Sequence, residues 1–458
     1  MKKLLITILS VLILVNAAAV VSFGAGTPPD LVAETAVLID ASTGQILYDK
    51  NMNDQRYPAS TTKVMTALLA LENLDLSKTV TIDAETPYTE GSRIYLLEGE
   101  QVTVEQLLNA MMTESANDAA VALGKEIAGT IPDFAKMMNE KAKKLGAKNT
   151  NFVNPNGLHD DAHVTTAYDL AMIAQEAMKN EKFRELVLTY RYIIPATNKQ
   201  DIRYLYNTNR LIYDERTKVS ANGVLRPAKY EGATGIKTGY TSHAGGCLIA
   251  GAKRGETELI SVVMKSTDSG RFGDSIALLD YGFENYKSAK AIDAGTDLGQ
   301  INVSRGSVRQ VGVVAAQDGY VTLPIEASAE LIKTKVLLDE KVKAPVTKGQ
   351  KVGVVEIYEG DSLISKVDAI AAGEIPEGGI LSIVGIPDDT AQKIEIGFAI
   401  ALIVFLLLSS SYILLRRRQM KRRRKRRLER ELKYQREQDF RMDFRNHHND
   451  YRNDFKRY

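Results

Sequence analysis

The chain has 458 residues, 44% hydrophobic and 25% charged, a globular composition that excludes a fibrous or wholly disordered protein. Its single cysteine, Cys247, excludes any intrachain disulfide. The net charge of +2 averages two opposite regions: residues 416–458 carry 18 Lys and Arg against 7 Asp and Glu, leaving 41 basic and 50 acidic residues elsewhere. An acidic body joined to a basic tail suggests two different compartments.

Met1-Lys2-Lys3, the apolar run Leu4–Val21 and the small residues Ser22, Gly24 and Ala25 have the layout of a secretory signal peptide over residues 1–25. The alternative for that run is an uncleaved anchor. Thr35–Asp40 and Gln45–Lys50 flank Ser42-Thr43-Gly44 and read as a β-hairpin. Ser60–Glu72 carries apolar residues on a helical repeat, with Pro58 and Ser60 where a helix begins. Val104–Thr113 and Asp118–Ile127 are helices on either side of a short polar break. Pro132–Leu145 and Thr166–Lys179 are two more. After Gly235 the pattern returns to strands, with Gly246–Ala252 and Leu259–Lys265 paired around Arg254-Gly255. Asp274–Asn285 reads as a closing helix. This order predicts an α/β (α+β) body over residues 30–287, one sheet whose N- and C-terminal strands pair, with helices around it.

Residues 291–386 change character. Short alternating runs rich in Val, Ile and Gly, such as Val311–Ala315, Gly319–Pro324, Lys333–Leu338 and Lys351–Tyr358, predict a small all-β domain without a helix. Residues 396–415 carry no charge, and a helix of that length spans roughly 30 Å, the thickness of a bilayer core. Arg416-Arg417-Arg418 and Lys421–Arg427 follow at once. The positive-inside rule reads residues 416–458 as a basic cytoplasmic tail and the acidic body as external. The basic run sits where lipid headgroups would meet it, so membrane lipid is the expected partner and nucleic acid is not.

Three short motifs carry chemistry. Ser60-Thr61-Thr62-Lys63 puts a hydroxyl and an amine one helical turn apart, on one face. A serine needs a neighbouring base to attack, and an amine serves if its pKa is lowered. The helix start also offers backbone N–H groups to an oxyanion. Alone, this pattern is often just a cap and a solvated lysine. Ser115-Ala116-Asn117 sits in the polar break between two helices. Ser220-Ala221-Asn222 has the same pattern but runs into Asn222-Gly223, a turn signal. Lys237-Thr238-Gly239 precedes a predicted strand on a sheet edge, where a lysine, a hydroxyl and a bare glycine could cradle a carboxylate.

In the order S-x-x-K, S-x-N, K-T-G, these motifs make the chain resemble the serine-type D-alanyl-D-alanine carboxypeptidases, low-molecular-mass penicillin-binding proteins. The resemblance includes Leu38–Gly44, Asn154-Pro155-Asn156-Gly157-Leu158 and Thr165-Thr166-Ala167-Tyr168-Asp169-Leu170. It implies a β-lactamase-like sheet with helices around it, the small all-β domain and a membrane anchor. It implies Ser60 as nucleophile, Lys63 as general base and Ser115 as a proton relay to the leaving amine. Asn117 would hold the substrate amide, and Lys237 would lower the pKa of Lys63. Thr238 would bind the terminal carboxylate with Arg271, Gly239 would allow close approach, and Tyr240 would share the oxyanion hole with the Ser60 N–H. The implied ligands are peptidoglycan D-Ala-D-Ala peptides and β-lactams, with no metal or cofactor. A class A β-lactamase and a D,D-transpeptidase remain open on the same scaffold, and a cell-envelope scaffold is the non-enzyme alternative. His159 and His163 read as a solvated loop in preference to a metal set. His243 could line the rim of the cleft, and Cys247 reads as a small buried hydrophobe.

Overall fold

The computed structural model describes residues 26–379, 386 and 388–453, so the signal-peptide reading of residues 1–25 lies outside the described residues. Everything described up to Gly299, with Val313–Asp339 and Lys351–Ile370, forms one compact unit. Gln300–Gly312, Glu340–Gln350 and the described residues from Ala371 onward form a second.

The first unit is built on a five-stranded antiparallel sheet. Its strands are β1 (Thr35–Asp40), β2 (Ile46–Lys50), β3 (Ala233–Thr241), β4 (Gly245–Arg254) and β5 (Thr257–Ser266), in the order β2-β1-β5-β4-β3. The N-terminal strand does pair with the last one, from Thr35 opposite Met264 to Asp40 opposite Leu259. Every residue of β1 is buried, which explains its continuous apolar run. The two faces then divide by alternation. Val37, Ile39, Ile249, Ile260 and Val262 point into the larger helical core. Leu38, Leu248, Leu259 and Val263 point toward α7 (Gly270–Asn285), where Phe272, Ile276 and Leu279 cover them.

The larger layer contains α1 (Lys63–Asn73), α2 (Val104–Thr113), α3 (Asn117–Ala128), α4 (Ile131–Lys144), α5 (Ala167–Ala177) and α6 (Glu181–Leu188). α1 is buried from Lys63 to Ala70, so its apolar residues surround the axis and do not form one stripe. α2 starts at a capping box: Gln106 N donates to Thr103 Oγ1 at 3.2 Å, and Thr103 N donates to Gln106 Oε1 at 2.8 Å. Thr130 and Thr166 cap α4 and α5 in the same way with one bond each.

Two expectations need correction. Ser60 does not open an α-helix; it sits in a 3-10 turn, Ala59–Thr62, and α1 begins at Lys63. Lys237-Thr238-Gly239 does not precede a strand but lies inside β3, which is the edge of the sheet. α6, eight residues long with Phe183, Leu186 and Val187 on its buried face, and the short hairpin of Arg191–Ile194 with Arg203–Tyr206 were not anticipated. Of Ser220–Gly223, read as a turn, only Asn222-Gly223 turns, with φ of +48° and +77°; Ser220 and Ala221 end the strand before it.

After α7, Tyr286–Ile292 pairs with Gly319–Pro324, and Ile332–Leu338, Lys351–Glu359 and Ser362–Ala371 run antiparallel. Val321, Leu323, Val355, Ile357 and Val367 fill their core. In the second unit, Asn302–Ser304 lies parallel to Lys341–Lys343. There α8 (Asp388–Asn453) contains the uncharged stretch and is long and apolar enough to cross a membrane.

Asp274 on α7 fastens the segment just before β1 to the sheet. Its carboxylate accepts from Val32 N and Ala33 N, both at 2.9 Å, and from Ser266 Oγ at 2.6 Å. Asp274→Ala would strand these buried donors. The expected loss is about 2–4 kcal/mol of unfolding free energy, read by urea denaturation followed through tyrosine fluorescence. A loss below about 0.5 kcal/mol would show that the clamp does not hold the N-terminal segment.

Candidate active site

The Ser60 turn is strained and is held in place from two sides. Ala59, just before the serine, has φ of +49°, where a side chain is unfavourable. Gly157 of the Asn154–Leu158 loop presses on it, so closely that a Cβ there would lie 1.8 Å from the Ala59 carbonyl oxygen. Gly239 of β3 covers the other side. A Cβ on it would lie 3.0 Å from Pro58 O and 3.1 Å from the backbone nitrogens of Ser60 and Thr61. Both contacts need glycine. Ser60 itself remains partly open to solvent.

Lys63 is 0% exposed. Its Nζ donates to Ser60 Oγ at 2.8 Å, Asn117 Oδ1 at 2.6 Å and the Asn156 carbonyl oxygen at 2.7 Å. Burial, then the nearby Lys237 cation, holds its pKa well below the usual lysine range, while Asp118 acts in the opposite direction. A neutral amine keeps two N–H donors and gains one lone pair. The Asn117 and Asn156 oxygens can only accept, so the lone pair must face Ser60, whose hydroxyl then becomes the donor. Deprotonating Lys63 therefore aims a base at Ser60 with only the hydroxyl hydrogen turning.

Lys237 is 1% exposed, and its only protein acceptor among the described residues is the Thr238 carbonyl oxygen at 3.3 Å. Burial, followed by the Arg271 charge, pushes its pKa down to about 7, against an upward pull from Glu114. A buried ammonium with so few partners is arranged to receive an anion. The Thr238 hydroxyl lies 2.6 Å from Thr208 Oγ1. Arg271, in the first turn of α7, donates to the Gly239 carbonyl oxygen at 2.8 Å and pairs with Asp268 at 2.8 Å. It thus braces the K-T-G strand, and its buried Nε has no partner among the described residues. The Tyr240 side chain is largely exposed.

Ser115 occupies the joint between α2 and α3 at φ of +59°. Its hydroxyl makes no protein hydrogen bond among the described residues. Asn117 is the link to Lys63, and its Nδ2 donates to the Glu90 carbonyl oxygen at 2.7 Å. Ser220 and Asn222 belong to a separate hairpin.

Asn156 and Thr208 were not singled out as site residues. Asn154-Pro155-Asn156-Gly157 does carry the signal of a tight turn; nothing marks Thr208. His163 overturns the solvated-loop reading. It is 1% exposed, and Val153 N donates to its Nδ1 at 3.1 Å. Its proton therefore sits on Nε2, which donates to Thr62 Oγ1 at 2.9 Å. Burial pushes its pKa down to about 4, so the ring is neutral. It fixes the loop to the turn beside Ser60. His159 and His243 are exposed and stack on each other. Cys247 is buried on β4, and burial raises its thiol to about 11, which leaves it an inert hydrophobe.

The family profile described as D-alanyl-D-alanine carboxypeptidase matches residues 23–268, and that of the penicillin-binding protein 5 C-terminal domain matches residues 286–377. The D-alanyl-D-alanine carboxypeptidase DacF of Bacillus subtilis (strain 168) is 33% identical over 76% of this chain and 87% of that protein. DacD of Salmonella typhimurium is 34% identical over 80% of this chain and 92% of its own length. The solved penicillin-binding protein 5 of Haemophilus influenzae has a TM-score of 0.58 at 31% identity, covering 77% of this chain and 99% of that one. The Streptomyces K15 DD-transpeptidase reaches 0.51 at 34% identity over 56% of this chain and 99% of its own. A profile match over more than half of the residues, joined to relatives a third identical along most of their length, leads to one conclusion: the chain belongs to the D-alanyl-D-alanine carboxypeptidase family, serine hydrolases on the penicillin-binding-protein fold.

Proposed function

We propose that Ser60 is the nucleophile that takes the acyl group from peptidoglycan stem peptides ending in D-Ala-D-Ala, releasing the terminal D-alanine. The observation that carries this is the Lys63 amine, buried with three acceptors of which only Ser60 can become a donor. Lys63 takes the Ser60 proton as Oγ attacks the penultimate carbonyl. The Ser60 and Tyr240 backbone N–H groups hold the oxyanion. Ser115 passes a proton to the departing amine, and the second Nδ2 hydrogen of Asn117 holds the substrate amide. Lys237 and Thr238 bind the terminal carboxylate, Gly239 lets the peptide approach the strand, and Arg271 supports that subsite with its charge and its hold on Gly239. Water then removes the acyl group. Penicillins, which mimic D-Ala-D-Ala, acylate Ser60 and leave slowly.

Residues 30–287 are the catalytic domain in this reading, and 291–386 a spacer or partner-binding domain. Residues 396–415 cross the membrane once, with the catalytic body outside and the basic tail of 416–458 inside against anionic lipid. Transpeptidation differs only in an amine replacing water. The K15 likeness makes an added amine acceptor a worthwhile second assay.

Labelled penicillin tests the nucleophile. The wild type should form a persistent adduct that Ser60→Ala lacks, and Lys63→Met should slow labelling by about 10²–10⁴-fold. Equal labelling of wild type and Ser60→Ala would exclude Ser60, and fast penicillin turnover would favour the β-lactamase reading.

The pH dependence tests the carboxylate subsite. Burial and the Arg271 charge push the Lys237 pKa down to about 7, so its ammonium should be present below that pH and lost above it. The KM for a free-acid D-Ala-D-Ala peptide should rise above about pH 7, while a peptide ending in the D-Ala amide should lack that limb. A KM for the free acid that stays flat from about pH 6 to 9 would remove Lys237 from this role.

A further inference from the structure

The carboxylate subsite gathers cations. Lys63 and Arg271 both act on Lys237 from outside β3. Arg271 pairs with Asp268 at 2.8 Å, and Arg210, close enough to act on Arg271, pairs with Asp214 at 3.9 Å. Against β3 itself, β4 sets Ile249 opposite Lys237 and the neutral Cys247 thiol opposite Gly239, and α6 sets Val187 on Gly235. The end of α2 brings an anion. Glu114, the residue before Ser115, is half-buried, and its charge acts on Lys237 against those cations. Unlike Asp268 and Asp214, it has no ion-pair partner among the described residues.

Its carboxylate is engaged by backbone instead. Oε2 accepts from Tyr206 N at 3.0 Å. Two residues on, Thr208 N donates to the Thr113 carbonyl oxygen at 3.2 Å, and the Thr208 hydroxyl lies 2.6 Å from that of Thr238. Thr113 and Glu114 thus clasp both ends of the Tyr206–Thr208 segment, which delivers Thr208 to the K-T-G strand. With Thr208 as donor in that pair, the Thr238 hydrogen is free for a ligand's carboxylate.

We propose that Glu114 is a positioning residue of the carboxylate subsite, which holds Thr208 against the K-T-G strand through Tyr206 N and offsets with its charge the cations gathered around Lys237.

The inference rests on the reading above, in which Lys237 and Thr238 receive the terminal carboxylate. The two contributions of Glu114 are separable, because an amide oxygen can accept from Tyr206 N and only a charge has the field. A negative charge favours the Lys237 ammonium, so removing it should move the loss of that ammonium to lower pH. While Lys237 is still protonated, the lost charge should not weaken binding of a carboxylate, which Glu114 itself repels.

The test uses the full-length enzyme in detergent with a D-Ala-D-Ala peptide and the same peptide ending in the D-Ala amide. KM for each is followed from about pH 5.5 to 9, and the free-acid to amide ratio cancels any general loss. In Glu114→Gln the rise of this ratio with pH should move about half to one unit lower, with the ratio at about pH 5.5 within about twofold of wild type. Glu114→Ala should show the same move and, at about pH 5.5, a ratio about three- to tenfold above that of the glutamine variant, since Thr208 is no longer held. A rise within about 0.2 unit of wild type in Glu114→Gln, or an alanine variant indistinguishable from the glutamine one, overturns the proposal. A wild type that releases D-alanine with a ratio independent of pH removes Lys237 from the subsite, and the proposal with it. A wild type that releases no D-alanine overturns the underlying reading, and the proposal falls with that.

Discussion

The site depends on the burial of one amine. An ammonium taken fully out of water needs partners or loses its proton, and Lys63 has both outcomes built in. Its acceptors come from positions 3, 54 and 93 residues along the chain. The Ser60 turn, the α2–α3 joint and the Asn154–Leu158 loop must therefore arrive at the same point. The sheet supplies the fourth side, because β3 places Lys237 where its charge weakens the hold of Lys63 on its proton. Asp118 restrains the effect: buried itself, it accepts from Ile94 N at 3.2 Å and Leu96 N at 3.1 Å.

Two buried lysines in mutual repulsion are unstable partners in isolation. Here the repulsion separates their tasks. Lys63 has three protein acceptors, the setting for the base role proposed for it; Lys237 has one long contact and remains available to a ligand's negative charge. The left-handed backbones at Ala59 and Ser115 belong to the same economy of space. Each turns a hydroxyl-bearing segment sharply beside the cleft, and the surrounding packing holds a conformation that the isolated chain would avoid.

Much of this is legible in the sequence. The buried runs of β1, β4 and β5 announce a sheet, and the pairing of its first and last strands follows from element order. Ser60, Lys63 and Lys237-Thr238-Gly239 were readable because their residue types and order are unusual together. What escaped was information held between segments. Thr208 reaches Thr238 across 30 residues through one 2.6 Å contact, and no local pattern encodes it. His163 sits among polar neighbours, Asp160, Asp161 and Thr165, that suggest solvent; only the tertiary packing against Phe152 and Thr62 buries it. The helix boundary near Ser60 slipped because periodicity cannot distinguish a 3-10 turn from the first turn of an α-helix.

The distant origin of the Lys63 acceptors also governs when the enzyme becomes reactive. In an unfolded chain Lys63 is an ordinary solvated ammonium, with a pKa of about 10.4, and Ser60 is an ordinary alcohol. The loop from 93 residues downstream must dock, and β3 must join the sheet, before either changes. With Ser60 and Lys63 in the roles proposed for them, a partly folded molecule is chemically silent toward acyl donors. Reactivity with a β-lactam reports completed tertiary structure, so the rate at which that reactivity appears during refolding is itself a clock for assembly of the domain.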